Sequence, residues 1–359
     1  MKKKTKYNVC VVGVGVVGIE MLRCLRASNF PVETLRVFAR SARAIEVDGR
    51  SYKVEAISAQ GFNGIDIALF AGTEGEKGAA ATYAHEAVKR GAVVIDNGAD
   101  FRMQPGVPLV VPEVNASDIN PVRNWFLHRS SGISNGVKKH KGIIANPNCS
   151  TIQMVVALWP IYKKAGIKRV IVTTLQASSG AGKSAVEQLN EETSSITAGG
   201  YKSIQAVAER SMPQQLAYNV FPQIGGFSDC DYTSEEWKLV NETHKIMHDN
   251  KIKISATTVR VPVRTGHSES IYIETKKPME PAKVKALLAR APGIILVDDP
   301  AKNLYPMPKD VEGKGEVFVG RIRRDPFVKN GMWLWVVADN LLKGAALNAV
   351  QIAECLIAR

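Results

Sequence analysis

The chain has 359 residues, 45% hydrophobic and 23% charged, which are globular values that exclude a disordered or fibrous protein, and its length calls for two domains rather than one core. The formal net charge of +13 raises nucleic acid as a partner, but much of the excess sits in Lys2, Lys3, Lys4 and Lys6 and in Val137-Lys138-Lys139-His140-Lys141, without interleaved aromatics. A solvated surface that attracts small anions is the preferred reading, and nucleic acid is not expected.

No apolar run reaches the about 18 residues of a membrane span, and the basic N-terminus leads straight into a strand instead of a signal-peptide core. Five scattered cysteines without CxxC spacing indicate reduced thiols and no metal site. A cytoplasmic protein with no membrane partner is expected.

In chain order, strands are predicted at Tyr7 to Val12, Thr34 to Ala39, Asp66 to Ala71, Val93 to Asp96, Leu109 to Val111 and Gly142 to Ala145, with helices at Gly18 to Ala27 and Ala79 to Arg90. This alternation is that of a doubly wound parallel sheet. Gly13-Val14-Gly15-Val16-Val17-Gly18 lies between the first strand and the first helix, the context in which a GxGxxG turn cradles a dinucleotide pyrophosphate on a helix N-terminus. The second strand ends in Arg40-Ser41-Ala42-Arg43 where an NAD site usually carries a carboxylate. Two guanidiniums and a hydroxyl there suit a 2′-phosphate, so NADP(H) is the predicted cofactor.

The polar stretch Asn124 to Lys141 shows no period and is read as a surface insertion. After it, Asn146-Pro147-Asn148-Cys149-Ser150-Thr151 leads from a strand into an apolar helix and puts Cys149 at the helix start. Backbone N–H groups and the helix dipole favour thiolate there, so Cys149 is the candidate nucleophile, and the same N–H groups suit an oxyanion. The pattern then changes to long β-rich runs, Arg169 to Ala177, Lys253 to Arg264, Glu269 to Glu274, Glu316 to Arg323 and Met332 to Ala338, expected as a mixed or antiparallel sheet backed by helices. Asn340 to Arg359 reads as an amphipathic helix. His267 falls in a break between two predicted strands, Arg260 on the preceding strand, and Gln176 at a strand end before the loop Ser178-Ser179-Gly180-Ala181-Gly182. A nucleophile, a proton carrier, an anion-binding guanidinium, an amide and a dinucleotide fold are the parts of a reductive or phosphorolytic acyl transfer.

Six motifs in order, Asn146 to Gln153, Gln176 to Gly182, Asp231 to Lys238, Val259 to Pro262, Gly266 to Ser270 and Asp339 to Ala346, closely resemble the aspartate-β-semialdehyde dehydrogenase family, within the wider group of glyceraldehyde-3-phosphate dehydrogenase and N-acetyl-glutamyl-phosphate reductase. The resemblance runs nearly end to end. It implies a Rossmann-type NADP-binding domain over 1–148 completed by helix 340–359, and a mixed α/β catalytic and dimerisation domain over 149–339. It implies that Cys149 attacks L-aspartyl-4-phosphate, expels inorganic phosphate and forms a thioester, which NADPH reduces to L-aspartate-4-semialdehyde. His267, with a pKa near 6.5, would take and return protons, and Gln176 would orient the acyl group. Arg260 is matched to the α-carboxylate and Glu236 to the α-ammonium, while Arg102, Lys238 and Asn148 are matched to the phosphate. Ser179, Gly180, Gly182 and Asn340 join the first glycine turn as cofactor contacts. A homodimer or homotetramer is implied. The glycine turn, the serine-free Asp96 to Asp100 loop and Thr73-Glu74-Gly75 depart from the family pattern. Two alternatives stay open: an N-acetyl-glutamyl-phosphate reductase, and a non-catalytic basic nucleic-acid-binding protein on the same fold.

Overall fold

The computed structural model describes residues 5–72, 78–119, 141–200 and 211–357. Lys2 to Lys4, the loop Thr73-Glu74-Gly75, and the insertion Asn124 to Lys141 except Lys141 lie outside the described residues. The chain divides into two compact units, Met1–Asn148 with Ala345–Arg359, and Cys149–Gly344.

The first unit holds seven strands: β1 (Tyr7–Val12), β2 (Val32–Ala39), β3 (Arg43–Val47), β4 (Arg50–Ala56), β5 (Ile67–Phe70), β6 (Val93–Asp96) and β7 (Ile143–Ala145). Their order is β3-β4-β2-β1-β5-β6-β7. Every pairing is parallel except β3 with β4. β5 and β6 are buried at every residue, as parallel strands covered on both faces must be. α1 (Val16–Ala27) packs on β1 and on the C-terminal helix Leu347–Ile357; α2 (Ala79–Lys89) packs on β5, β6 and β7; the short α3 (Pro112–Asn115) also meets the C-terminal helix.

Two differences from the expected elements occur here. The segment after β2, to which no element was assigned, forms the hairpin β3–β4, an antiparallel edge turning at Asp48 and Gly49, both at positive φ. Leu109 to Val111 is not a strand; only Leu109 bridges to Ala145.

The second unit contains β8 (Ile167–Gln176), β9 (Lys253–Arg260), β10 (His267–Thr275), β11 (Ile294–Leu296), β12 (Val317–Arg324) and β13 (Gly331–Ala338), in the order β11-β12-β13-β10-β8-β9. The sheet is mixed, with β8–β9 and β11–β12 parallel and the rest antiparallel. Its longer helices are α4 (Cys149–Ala165), α5 (Lys183–Gly199), α6 (Ser234–Met247) and α7 (Pro281–Leu288). α4 packs on β8, β10, β12 and β13, so it is buried almost all round through Leu158. β9 stops at Arg260 and not at Arg264, because Pro262 has no N–H for a ladder. The predicted helix from Asn340 begins instead as a π-helical turn, Leu342–Ala346, with the α-helix starting at Leu347. Asp339 accepts from the Leu341 and Leu342 amides at 2.8 and 3.2 Å and so caps that turn.

Candidate active site

Strand register builds the site. Gln176 is paired with Arg260 and Thr174 with Thr258 across β8 and β9; Thr174 is opposite Glu269 across β8 and β10. Directly paired residues share a face and alternate residues repeat it, so three strands present two tiers. The upper tier is Arg260, Gln176 and His267; the lower is Thr258, Thr174 and Glu269. All six are buried. His267 is the first residue of β10, which corrects the expected break: the chain turns at Gly266, φ +93°, and the strand starts at once.

One residue fixes two of these side chains. The Ala177 N–H donates to His267 Nδ1 at 3.1 Å, and its carbonyl accepts from Arg260 Nη1 at 2.6 Å. With Nδ1 an acceptor, the neutral ring carries its proton on Nε2. His267 does not keep the expected pKa near 6.5: burial and then the Arg260 charge hold it well below. Nε2 has no hydrogen-bond partner among the described residues. A Cβ on Gly180 would stand 3.1 Å from that nitrogen and 3.3 Å from Arg260 Nη1, so this glycine keeps open the space both groups face.

Cys149 is the first residue of α4 and is half-buried. A Cβ on Gly344 would come within 2.9 Å of its Cβ, so the backbone of the π-helical turn lies directly against it. The Cys149 and Glu235 charges both act on Arg260, opposing the burial that lowers its pKa. Helix terminus and guanidinium together favour thiolate. Cys10 and Cys24 are buried, and desolvation pushes the Cys10 thiol far up.

Glu236, the acid expected in the site, is engaged elsewhere. Both Glu236 oxygens are taken by backbone: Oε2 by the Thr233 N–H at 2.7 Å and Oε1 by the Thr258 N–H at 2.9 Å, while Thr233 Oγ1 accepts from the Glu236 N–H. This is a helix capping box. Glu235 instead accepts from Gln176 Nε2 at 3.2 Å and pairs with Lys238 at 3.3 Å. The motif alone does not say which of two adjacent acids reaches Gln176. The spacing Thr233-x-x-Glu236, itself a capping signature, would have said so.

Ser179 and Asn340, expected to touch the cofactor, bond each other at 3.0 to 3.2 Å, and Asn340 also accepts from the Gly266 N–H at 2.9 Å. Gly182, φ +94°, precedes α5 with open space where a Cβ would stand.

In the first unit, Gly13 lies at φ +103°, which favours glycine, and a Cβ on Gly18 would collide with the Gly13 carbonyl oxygen. A Cβ on Gly15 meets nothing within 4 Å, and α1, which begins at Val16 and Val17, has no side-chain cap and no acid in its first turn. That combination fits a pyrophosphate. β1 and β2 end side by side, with Val12 paired to Phe38, so Arg40 and Ser41 follow at the same edge as the glycine turn. Arg40, Ser41 and Arg43 are exposed, and Arg43 opens β3 with Nη1 3.3 Å from Ser41 Oγ. Arg102 is buried, its Nε donating to the Asn146 carbonyl and its Nη2 to the Asn97 carbonyl, both at 2.9 Å. Asn148 is buried immediately before Cys149. Among the described residues no cluster of metal-ligating side chains occurs and no helix is long and apolar enough to cross a membrane.

Residues 8–122 match the family model of the semialdehyde dehydrogenase NAD binding domain, and residues 158–343 that of the semialdehyde dehydrogenase dimerisation domain. The chain is 49% identical to an aspartate-semialdehyde dehydrogenase of Aquifex aeolicus, over 98% of both chains, and 47% identical to one of Bacillus subtilis, over 97% of both. Its fold is similar to that of aspartate semialdehyde dehydrogenase II from Vibrio cholerae solved in complex with ASA, with a TM-score of 0.88, 41% identity and 99% of each chain covered. With the glycine turn, the helix-borne cysteine and the buried tier all present, the chain belongs to the aspartate-semialdehyde dehydrogenase family, oxidoreductases with an NAD-binding and a dimerisation domain.

Proposed function

We propose that this protein reduces L-aspartyl-4-phosphate to L-aspartate-4-semialdehyde and inorganic phosphate through a thioester on Cys149, with NADPH as the reductant, in amino-acid biosynthesis. The observation that carries the reading is the convergence of His267 Nε2 and Arg260 Nη1 on Gly180, with Arg260 in the field of Cys149 at the α4 N-terminus.

The Cys149 sulfur forms a bond to the acyl carbon, and the carbon–oxygen bond to phosphate breaks. NADPH, when bound, supplies the hydride. His267 Nε2–H donates to the oxygen that gains negative charge at the acyl carbon, a role suited to a ring kept neutral. Thiolate then leaves as the carbonyl re-forms. Gln176, held by Thr174 and Glu235, orients the acyl group. Arg260 takes the α-carboxylate. Glu235, not Glu236, takes the α-ammonium, with Lys238 beside it. Arg102 and Asn148 are the proposed phosphate ligands of the first unit. Gly13, Gly15, Val16, Val17 and Gly18 hold the pyrophosphate, Arg40, Ser41 and Arg43 the 2′-phosphate, and Ser179, Gly180, Gly182 and Asn340 complete the proposed cofactor contacts.

An acid at Glu235 argues against an N-acylated glutamyl substrate, which has no ammonium to meet it. Homodimer or homotetramer assembly and a cytoplasmic location belong to the same proposal. The test is phosphate-dependent NADPH formation from L-aspartate-4-semialdehyde and NADP by wild type and Cys149→Ala. Cysteine-dependent turnover that requires phosphate is expected. Turnover only of the N-acetylated, one-carbon-longer aldehyde would overturn the substrate, and turnover surviving in Cys149→Ala would overturn the nucleophile.

A further inference from the structure

Beneath the upper tier lies a polar pair that the proposed chemistry leaves unused. Glu269 is fully buried, two residues after His267 on the same face of β10. Gln153 is 1% exposed, one helical turn after Cys149 on the same side of α4. α4 packs on β10, and the Gln153 amide is close enough to the Glu269 carboxyl to oppose part of the effect of its burial. Neither the two carboxyl oxygens nor the two amide atoms have a bond of ordinary geometry to any described residue. Burial dominates and drives the carboxyl well above the usual carboxylate range, favouring its uncharged form. An uncharged carboxyl offers one O–H donor and a carbonyl acceptor, the complement of a primary amide.

A purely packing role would put an apolar residue at each place. Four buried polar atoms beneath the nucleophile and the proton donor are costly unless they engage one another. Since α4 packs on β10, the lower pair sits in the seam between the two elements whose first residues are the proposed reactive ones. We infer that Glu269 is a positioning residue: its side chain, buried with Gln153 where α4 packs on β10, sets the spacing and orientation of Cys149 relative to His267 and thereby the rate of the chemical step. It touches neither substrate nor cofactor.

The inference rests on the thioester reading, and the experiment separates the two. Wild type, E269L, E269Q, Q153L and the double variant E269L/Q153L are assayed for kcat, KM and thermal midpoint in the phosphate-dependent direction. E269L is expected to lose about tenfold or more in kcat with KM for the aldehyde changed less than about twofold. E269Q, an isosteric neutral group that both donates and accepts, is expected to restore kcat to within about threefold of wild type. The double variant should be no slower than E269L alone, since both changes break one tie. Cys149 alkylation by iodoacetamide should slow in E269L in parallel with kcat. The inference is overturned if E269L keeps the wild-type kcat, if E269Q is as slow as E269L, or if E269L and Q153L multiply independently. A wild type without cysteine-dependent turnover would instead overturn the thioester reading. If E269L does not fold, the comparison of E269Q with Q153L still decides: a wild-type kcat in Q153L would overturn the tie.

Discussion

Arg260 is 4% exposed, its Nη1 is committed to the Ala177 carbonyl, and its fork lies in the fields of Glu235 and Cys149. A lysine at this place keeps the charge and loses the fork, so Arg260→Lys should lower kcat/KM by about a hundredfold or more, measured with saturating NADP. The neutral His267 makes a second prediction. Its folded pKa is depressed below the unfolded 6.5, so between those values the unfolded chain binds the extra proton. Stability from this group is therefore complete above pH 6.5 and is lost as pH falls through that window. Thermal midpoints of wild type and His267→Asn should differ by a constant amount above pH 6.5 and shift in favour of the variant below it. A constant difference down to pH 4.5 would mean that the ring is charged in the folded protein. The identity of these residues was legible because the motifs name them, whereas the state of His267 was not, since it depends on the Ala177 N–H and on burial.

At the scale of elements, α6 separates two neighbouring acids by geometry. Glu236→Ala removes half of the capping box and should cost about 1 kcal/mol of stability with KM unchanged. Glu235→Gln should leave the thermal midpoint nearly intact and raise KM for the aldehyde by about tenfold or more, as expected when an ammonium loses its ionic partner. Equal KM effects for both would return the site to Glu236. The turn Ser178–Ala181 gives a parallel case: Gly180→Ala brings a methyl to 3.0 Å from the His267 ring and should reduce kcat far more than stability. Apolar runs of the right length made β1, β6, β8 and β13 readable. The β3–β4 hairpin was not read, because its residues are mostly exposed edge positions without an apolar run, although Asp48-Gly49 is a hairpin turn signal. The start of β10 was misread because Gly266 looks like a loop and is in fact the last residue before the ladder.

For the whole molecule, alternation of strand and helix followed by long β runs was enough to expect a parallel sheet and then a mixed one, and the proposed nucleophile, Cys149, is the first residue of the second unit. What sequence patterning does not contain is the register across β8, β9 and β10, which alone places Gln176, Arg260 and His267 on one level. The charge of +13 acts at this scale too. The substrates are anions, and the Debye length falls from about 30 Å at 0.01 M salt to about 8 Å at 0.15 M, so kcat/KM should fall as ionic strength rises while kcat stays level. A flat profile would show that the excess charge plays no part in capturing substrate.

The N–H and the carbonyl of Ala177 belong to two successive planar peptide groups that meet at its Cα, so their relative orientation is set by the φ and ψ of this one residue. It serves one side chain through its nitrogen edge and another, through its carbonyl, from a different strand. The tilt of the proposed proton donor and the reach of the proposed carboxylate anchor are thus coupled through the backbone torsions of Ala177. A lineage that moved the guanidinium to accept a longer substrate would have to turn the Ala177 carbonyl without turning the N–H on the other side of the same Cα, or the imidazole would tilt with it.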